Sequence, residues 1–341
     1  MSAPDRTALP PHVQLIEMAV ASWGLMVLHA AAKFGVVDHL GDGAKTAEEL
    51  AGPTGTHAPS LYRLMRTLAG LGVLEEDGSR RFRVTPLGAA LKTGAPGAAR
   101  ATILTFGSDW FSRSLAEFPY SVQTGKTGTE KALGMPAFDY LARNPEAAAL
   151  FGETMVGVHG QEPAAVTAAY DFSGFGTVVD VGGGTGNLLT TILGRYTGPK
   201  GILYDLPHSE TDALGMIAAR GLSERIRFQA GSFFESVPAG GDAYVLSHVI
   251  HDWSEEQCLT ILGHCRKAMN PGGKLLIVEM VLPQGNTFHP GKMLDMIMLV
   301  APGGEERTEA QYRDLLAKAG FRLERVVPTE SAVSVVEAVV A

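Results

Sequence analysis

Cysteine is nearly missing from this sequence: of 341 residues only Cys258 and Cys265 carry a thiol, seven apart in a helical pattern and without a CxxC pair. Such spacing offers neither a disulfide framework nor a zinc knot, and both are read as buried core thiols. Runs of positive charge are missing too. The chain has 28 basic against 36 acidic residues, a net charge of −8, and its basic side chains stand singly or in pairs such as Arg80-Arg81. Without a phosphate-tracking face, nucleic acid is not an expected partner. The opening Met1-Ser2-Ala3-Pro4-Asp5-Arg6 lacks the basic start and apolar run of a signal peptide, and no stretch holds about eighteen uninterrupted apolar residues. A cytoplasmic location, away from membranes, is the expectation.

What is present is enough apolar material to fold, 45% of the chain, spread over a length that favours two domains over one core. The division expected is 1–100 and 101–341. From Val13 to about Phe34, Leu15, Met18, Ala19, Trp23, Met26, Val27 and Ala30 recur at helical spacing, predicting one long helix, amphipathic or fully buried. Thr46–Leu50 and Pro59–Leu68 read as two further helices, with Thr46 three residues before Glu49 as in a capping box. Gly72–Glu75 and Phe82–Thr85, around Asp77-Gly78, complete a winged helix. That shape raises a DNA-binding regulator as a rival, with Arg63 and Arg66 one turn apart. The candidate recognition helix is mainly apolar, however, and the wing offers only Arg80, Arg81 and Arg83, so dimerisation is the better use. Residues 101–170 read as a helical connector rich in aromatic side chains, some of them candidates for lining an acceptor pocket rather than core.

After Phe172 the pattern becomes α/β. Short β-branched runs at Val178–Val181, Gly201–Tyr204, Ile226–Gln229, Ala243–Leu246 and Leu275–Val278 alternate with helices near Leu188–Arg195, Ser209–Arg220, Glu255–Met269 and Glu309–Ala319. This predicts a mostly parallel Rossmann-like sheet with crossover helices. The chain closes with a strand pair, Phe321–Val327 and Ala332–Val340, an ending that favours a methyltransferase sheet over a dinucleotide-binding one.

The strongest motif is Val178-Val-Asp180-Val-Gly182-Gly-Gly184-Thr-Gly186-Asn187, a strand running into a glycine turn that opens a helix. A dinucleotide fingerprint counted from Gly182 needs glycine at 187, where Asn187 stands, so an NAD-dependent oxidoreductase is disfavoured. Asp180 would repel a pyrophosphate but suits the amino group and sulfonium of S-adenosylmethionine. Asp205 follows Gly186 by nineteen residues, at the next strand end with Leu206. A carboxylate there accepts hydrogen bonds from ribose hydroxyls, or else caps a helix. Gly231-Ser232-Phe233-Phe234 places a hydroxyl and an aromatic face for an adenine, with Phe234 equally readable as core.

Beyond the fourth strand lies Ser247-His248-Val-Ile-His251-Asp252-Trp253-Ser254, at the edge where open α/β sheets meet ligands. Glu279 ends the fifth strand, and Pro302-Gly-Gly-Glu-Glu306-Arg-Thr308 follows, so two carboxylates are expected to converge on the His251 ring. A phenol has a pKa of about 10 and is protonated at neutral pH, so its oxygen needs a base before it attacks. His248 and His251 stand three apart, yet HExxH is absent and no third ligand has metal spacing, so no metal is expected.

The collinear run Asp180–Gly186, Asp205-Leu-Pro-His208, His251-Asp-Trp-Ser254, Pro271-Gly-Gly-Lys274 and Pro302–Thr308 resembles the plant caffeate and flavonoid O-methyltransferases and their bacterial antibiotic-pathway relatives. The resemblance implies a class I methyltransferase fold with an N-terminal winged-helix dimerisation domain, a homodimer, S-adenosylmethionine as donor, and a cation-independent reaction. It implies His251 as general base with Glu279 and Glu306 beside it and Asp252 adjacent. Cofactor contacts are implied at Gly182, Asp205, Ser232, Phe233 and Ser247, and acceptor contacts at Tyr140, Phe151, Met155, Ile297, Met298 and Ala301. The family usually has Asp where this chain has Ser232, and plant members have Lys at 247 and Asn at 301. These departures favour a bacterial aromatic or polyketide-derived acceptor over a plant phenylpropanoid. Relatives of this fold also methylate nitrogen or carry out hydroxylation or decarboxylation; the retained His251 and Glu306 favour oxygen methylation.

Overall fold

A computed structural model describes residues 9–341, so the Met1–Arg6 opening lies outside the described residues. The chain forms two compact units, one made of the residues before Arg113 with Leu141–Val158, the other of Arg113–Tyr140 with His159–Ala341. Part of the stretch read as a connector to the second domain thus belongs to the first unit. There the helix Ala99–Phe106 packs on the helix Pro145–Val158, and the buried hydroxyls of Thr105 and Thr154 lie 2.8 Å apart.

The long N-terminal helix runs from Pro11 to Lys33, with proline in the first turn, where a missing N–H costs nothing. It is not fully buried. Only Ala31 and Ala32 are enclosed, while Leu15, Met18 and Trp23 are 67%, 62% and 68% exposed. An 18-residue window within it has a mean hydropathy of 1.6, so it is also long and apolar enough to cross a membrane, by length and composition alone. The next helix, Ala47–Thr54, has the expected capping box: Thr46 N–H donates to Glu49 Oε2 (2.7 Å) and Glu49 N–H to Thr46 Oγ1 (3.3 Å). Helix Ala58–Gly70 buries Leu61, Met65 and Leu68, and strands β1 (Leu74–Glu76) and β2 (Phe82–Val84) pair antiparallel to form the wing.

The second unit is built on a seven-stranded sheet. Its strands are β3 (Thr177–Val181), β4 (Lys200–Asp205), β5 (Ile226–Ala230), β6 (Gly241–Ser247), β7 (Met269–Glu279), β8 (Phe321–Pro328) and β9 (Ser334–Val340), in the spatial order β5-β4-β3-β6-β7-β9-β8. The first five are parallel, whereas β9 runs antiparallel to β7 and β8 antiparallel to β9. Val178 faces one apolar layer and Val179 the opposite one, which is why the strands read as continuous β-branched runs. Each such side chain, fully enclosed, stabilises the fold by about 1.5–3 kcal/mol. After β5 the chain returns to the other side of β3 to form β6. The strand order therefore reverses beside β3, and the turns after β3, β4, β6 and β7 open at one carboxyl edge.

Candidate active site

The glycine turn leaves β3 with Gly182, Gly184 and Gly186 at φ of 72°, 56° and 79°, a region other residues rarely enter. At Gly182 a Cβ would sit 2.9 Å from Val249 Cγ2 and 3.4 Å from the Phe233 ring. Only glycine lets the turns after β3, β5 and β6 approach one another so closely. Gly184 N–H donates to Asp205 Oδ2 at 2.7 Å, and Asp205 Oδ1 accepts from Leu206 N–H (2.6 Å) and the Ser209 hydroxyl (3.2 Å). Asp205 therefore braces the turn, while the second lone pair on Oδ2 remains for a ligand hydroxyl.

Asp180, at 1% exposure, lies beneath the same turn, and among the described residues neither of its carboxylate oxygens has a hydrogen-bond partner. Burial, reinforced by the neighbouring charge of Asp205, lifts this carboxyl to about 7. An unpaired buried carboxylate is costly unless a cation or a hydrogen-bond donor joins it. After β5, Ser232 Oγ accepts from Phe234 N–H (3.3 Å), and the Phe233 and Phe234 rings pack edge-on, 4.9 Å apart. Phe234 also meets Trp253 at 4.8 Å and behaves as core. Leu206 is exposed, and Ser247 ends β6 opposite Val278.

His251 sits in a short 3₁₀ turn, Ile250–Asp252, and is 5% exposed. Its Nδ1 lies 2.6 Å from Glu306 Oε1, and its Nε2 is 3.7 Å from Asp252 Oδ1, beyond hydrogen-bonding range. Glu279 departs from expectation, since its hydrogen bonds go to groups other than the ring. Its Oε1 accepts from the backbone N–H of Val249 (3.2 Å) and of His251 (3.1 Å), and its Oε2 accepts from the Tyr312 hydroxyl. Glu279 thus holds the turn, and Glu306 holds the imidazole. Burial by itself would lower the His251 pKa, but the charges of Asp252, Glu306 and Glu279 outweigh it and raise the group from 6.5 to about 10. Burial pushes Asp252 up to about 6.

The 302–308 segment is pressed against the turn that carries His251. A Cβ at Gly304 would lie 1.8 Å from the His251 carbonyl oxygen, which accepts from Glu305 N–H at 2.9 Å. Arg307 is buried and donates to the Ile250 carbonyl (3.2 Å).

The O-methyltransferase domain family matches residues 115–322, and the O-methyltransferase dimerisation domain matches residues 14–94. The chain belongs to the O-methyltransferase family. It is 44% identical over 331 residues to phenazine O-methyltransferase PhzM of Lysobacter antibioticus, covering 97% of each chain. The solved structure of LaPhzM superposes with a TM-score of 0.92 at 43% identity, over 98% of this chain and 100% of that one. The O-methyltransferase NcsB1 from neocarzinostatin biosynthesis, solved with S-adenosylmethionine and 2-hydroxy-5-methyl naphthoic acid, superposes with a TM-score of 0.82 at 32% identity, over 93% and 96% of the two chains.

Within this O-methyltransferase fold, the acceptor-contact candidates fall in both units. Tyr140, the last residue of the 113–140 stretch of the second unit, lies on the helix Ala137–Arg143. Ile297 and Met298 lie on the helix Gly291–Val300, with Ala301 at its end. Phe151 and Met155, half-buried, lie on Pro145–Val158 of the first unit. The helix Gly291–Val300 does more than supply apolar side chains, because Asp295 Oδ1 accepts from Glu306 N–H at 2.9 Å and fixes the residue that fixes His251. Sequence reading missed Asp295, and it missed Tyr312, His159 and Glu162.

The last two gather at His248, whose Nε2 lies 2.7 Å from Glu162 Oε2 and whose ring stacks on His159 at 3.8 Å. His159, Glu162 and His248 bring three donor atoms within 4.8 Å of one another. The two rings are parallel to within 5°, however, so their lone pairs run in parallel planes and do not converge on one ion. A His three residues before a Glu at a helix start was visible in the sequence, but its partner is 86 residues further on.

Proposed function

We propose that this chain is an S-adenosylmethionine-dependent O-methyltransferase that methylates a hydroxyl, phenolic in the simplest case, of a small aromatic or polyketide-type secondary metabolite, with His251 as general base. One observation carries the assignment of the base: Glu306 occupies His251 Nδ1, while Nε2 has no hydrogen bond among the described residues and is left for an acceptor hydroxyl.

The residues present fit the donor. The unpartnered Asp180 carboxylate suits its cationic groups, the cradle at Gly182 and Gly184 suits close approach by a ligand, and Asp205 with Leu206, Ser232, Phe233 and Ser247 would flank the nucleoside. S-adenosylmethionine supplies an electrophilic methyl carbon on positive sulfur and leaves as S-adenosylhomocysteine. His251 Nε2 takes the acceptor proton as the oxygen becomes nucleophilic. Glu306 fixes the tautomer with the proton on Nδ1 and balances the imidazolium that results. A base whose conjugate acid has a pKa of about 10 is closely matched to a phenol, whose own pKa is about 10. Proton transfer between them is therefore nearly balanced. General-base catalysis of this kind contributes about 10²- to 10⁴-fold, and the remainder comes from holding the reactants in attack geometry.

In this reading Tyr140, Ile297, Met298 and Ala301 are the acceptor contacts, and Phe151 and Met155 are carried as further candidates. Residues 1–100 then serve dimerisation and 101–341 catalysis, with Leu141–Val158 of the latter folded into the first compact unit. A second copy covers the apolar face of Pro11–Lys33, which makes the enzyme a homodimer. A cytoplasmic location goes with this reading, since a helix covered by its twin has no need of a membrane; the enzyme is expected in the supernatant after fractionation. The function is tested by incubating the protein with methyl-labelled S-adenosylmethionine and a panel of hydroxylated aromatic compounds. Label on oxygen, lost in His251→Ala, is the expected result; undiminished transfer by the variant removes His251 from the mechanism.

A further inference from the structure

The turn that carries His251 begins with a residue in an unusual backbone conformation. His248 has a φ of +53°, in the left-handed region that side-chain-bearing residues rarely adopt and that glycine or asparagine enters with less strain. A histidine there needs a compensating interaction, and such strain collects at functional turns.

The compensation is visible in what the ring touches. His248 Nε2 lies 2.7 Å from Glu162 Oε2, with the two side chains only 9% and 10% exposed, while Nδ1 is buried without a partner among the described residues. The other face of the ring is covered by His159, stacked at 3.8 Å. Burial, together with the nearby His248 and His251, lowers the His159 pKa to about 2, so the stack places no second charge beside the pair. Glu162 opens the helix Glu162–Ala169, an element separate from the catalytic turn. The turn is thus held from two sides. Glu279 grips the backbone N–H groups of Val249 and His251, and Glu162 grips the side chain at the turn's first residue. The His248 and His251 rings are 5.2 Å apart and tilted by 51°.

We propose that His248, anchored by Glu162 and stacked on His159, is a positioning residue for His251: it locks the left-handed start of the turn and so sets the direction in which His251 Nε2 points. The inference rests on the reading of His251 as base. If the anchor is released, the turn relaxes toward ordinary backbone geometry and the imidazole loses its aim. The protein still folds and still binds the cofactor.

The experiment is a double-mutant cycle on the full-length enzyme, with kcat, KM and S-adenosylhomocysteine affinity measured for each variant. Glu162→Leu keeps the volume and removes the acceptor; His248→Asn keeps a residue tolerant of the left-handed backbone and removes the anchored ring. Each is expected to lower kcat about 10- to 100-fold, the effect of a catalytic group misplaced by about 1 Å, with S-adenosylhomocysteine affinity retained. The double variant is expected to be no worse than either single one, because both break the same link. Glu162→Gln, which still presents an oxygen to Nε2–H, is expected to restore kcat. Full kcat in Glu162→Leu or His248→Asn overturns the proposal, and so do losses that multiply in the double variant. Loss of S-adenosylhomocysteine affinity in step with kcat overturns it as well, since that marks general damage to the fold. His251→Ala separates the layers. Should it stay active, the base assignment beneath the proposal fails; should it be inactive while Glu162→Leu is fully active, only the positioning role fails.

Discussion

Glu306 Oε1 and His251 Nδ1 are 2.6 Å apart, and both side chains are shut away from solvent. A carboxylate in that position selects the tautomer and favours the charged imidazole, so its removal acts on catalysis more than on acceptor binding. Glu306→Gln is expected to lower kcat about 10- to 100-fold with little change in KM, and His251→Ala to lower it about 10²- to 10⁴-fold. Steady-state kinetics with any competent acceptor measures both. A Glu306→Gln enzyme with full kcat would show that the contact only supports the fold.

The same cluster predicts a pH dependence with a definite sign. His251 rises from 6.5 in the unfolded chain to about 10 in the fold, so the free enzyme holds a proton on the ring at neutral pH. The basic form grows as pH increases, and kcat/KM is expected to climb from pH 7 toward 10. Stability moves the opposite way. A group whose folded pKa is raised contributes stability that is fully present below pH 6.5 and lost as pH rises through about 10. The unfolding temperature of the wild type, compared with His251→Asn, should therefore lose its advantage across that window. A pH-independent kcat/KM between 7 and 10 would contradict the assignment.

Asp180 supplies a second pH prediction. Its carboxyl is raised by burial, and by Asp205, from 3.8 to about 7, so the stability linked to the protonated form is present below pH 4 and lost as pH rises through 7. In the free protein the charged form has no partner. Asp180→Asn is expected to abolish that pH 4–7 slope in unfolding temperature and to weaken binding of the cationic donor above pH 7. Calorimetric titration with S-adenosylmethionine and a thermal scan measure the two effects. Unchanged affinity would detach Asp180 from the cofactor.

Much of this was legible in the sequence because the signals are local. β-branched runs marked the sheet, the glycine turn and Asp205 lie within one strand–helix–strand unit, and His251 is announced by its neighbours after the fourth parallel strand. The contacts that were not legible join residues far apart in sequence. Glu279 was expected at the ring, but the register of β7 against β6 delivers its Oε1 to backbone N–H groups and its Oε2 to the Tyr312 hydroxyl. Glu162 finds His248 across 86 residues, and Asp295 finds the backbone of Glu306 from a helix that no strand pattern predicted. The stretch 101–170 was read as one connector because helical periodicity says nothing of which neighbour a helix chooses. Ala99–Phe106 and Pro145–Val158 choose each other.

Gly304 tests how tightly the catalytic turn is packed. A methyl group there would overlap the His251 carbonyl oxygen, 1.8 Å from the new Cβ, and that contact is with backbone that cannot swing aside. Gly304→Ala is expected to cost about 1–3 kcal/mol of stability, as overpacking does, and to lower kcat by displacing the base. Denaturant melts and kinetics measure the two effects. A fully active, fully stable variant would mean that the 302–308 segment is not pressed on the turn.

The exposed side of Pro11–Lys33 gives the last prediction. Leu15, Ile16, Met18, Trp23 and Met26 leave a broad apolar face uncovered in the single chain, larger in extent than isolated surface apolar residues require. A helix long and apolar enough to cross a membrane could be covered by lipid or by its own twin, and the dimerisation domain matched over residues 14–94 favours the twin. In a two-fold interface each residue acts twice, so one substitution introduces two charges into the same patch. Trp23→Arg is expected to convert the dimer into monomers in sedimentation velocity, with the second unit still folded and still binding S-adenosylhomocysteine. A Trp23→Arg protein that sediments as a dimer would move the interface off this helix, and wild-type protein recovered with membranes would assign the face to lipid.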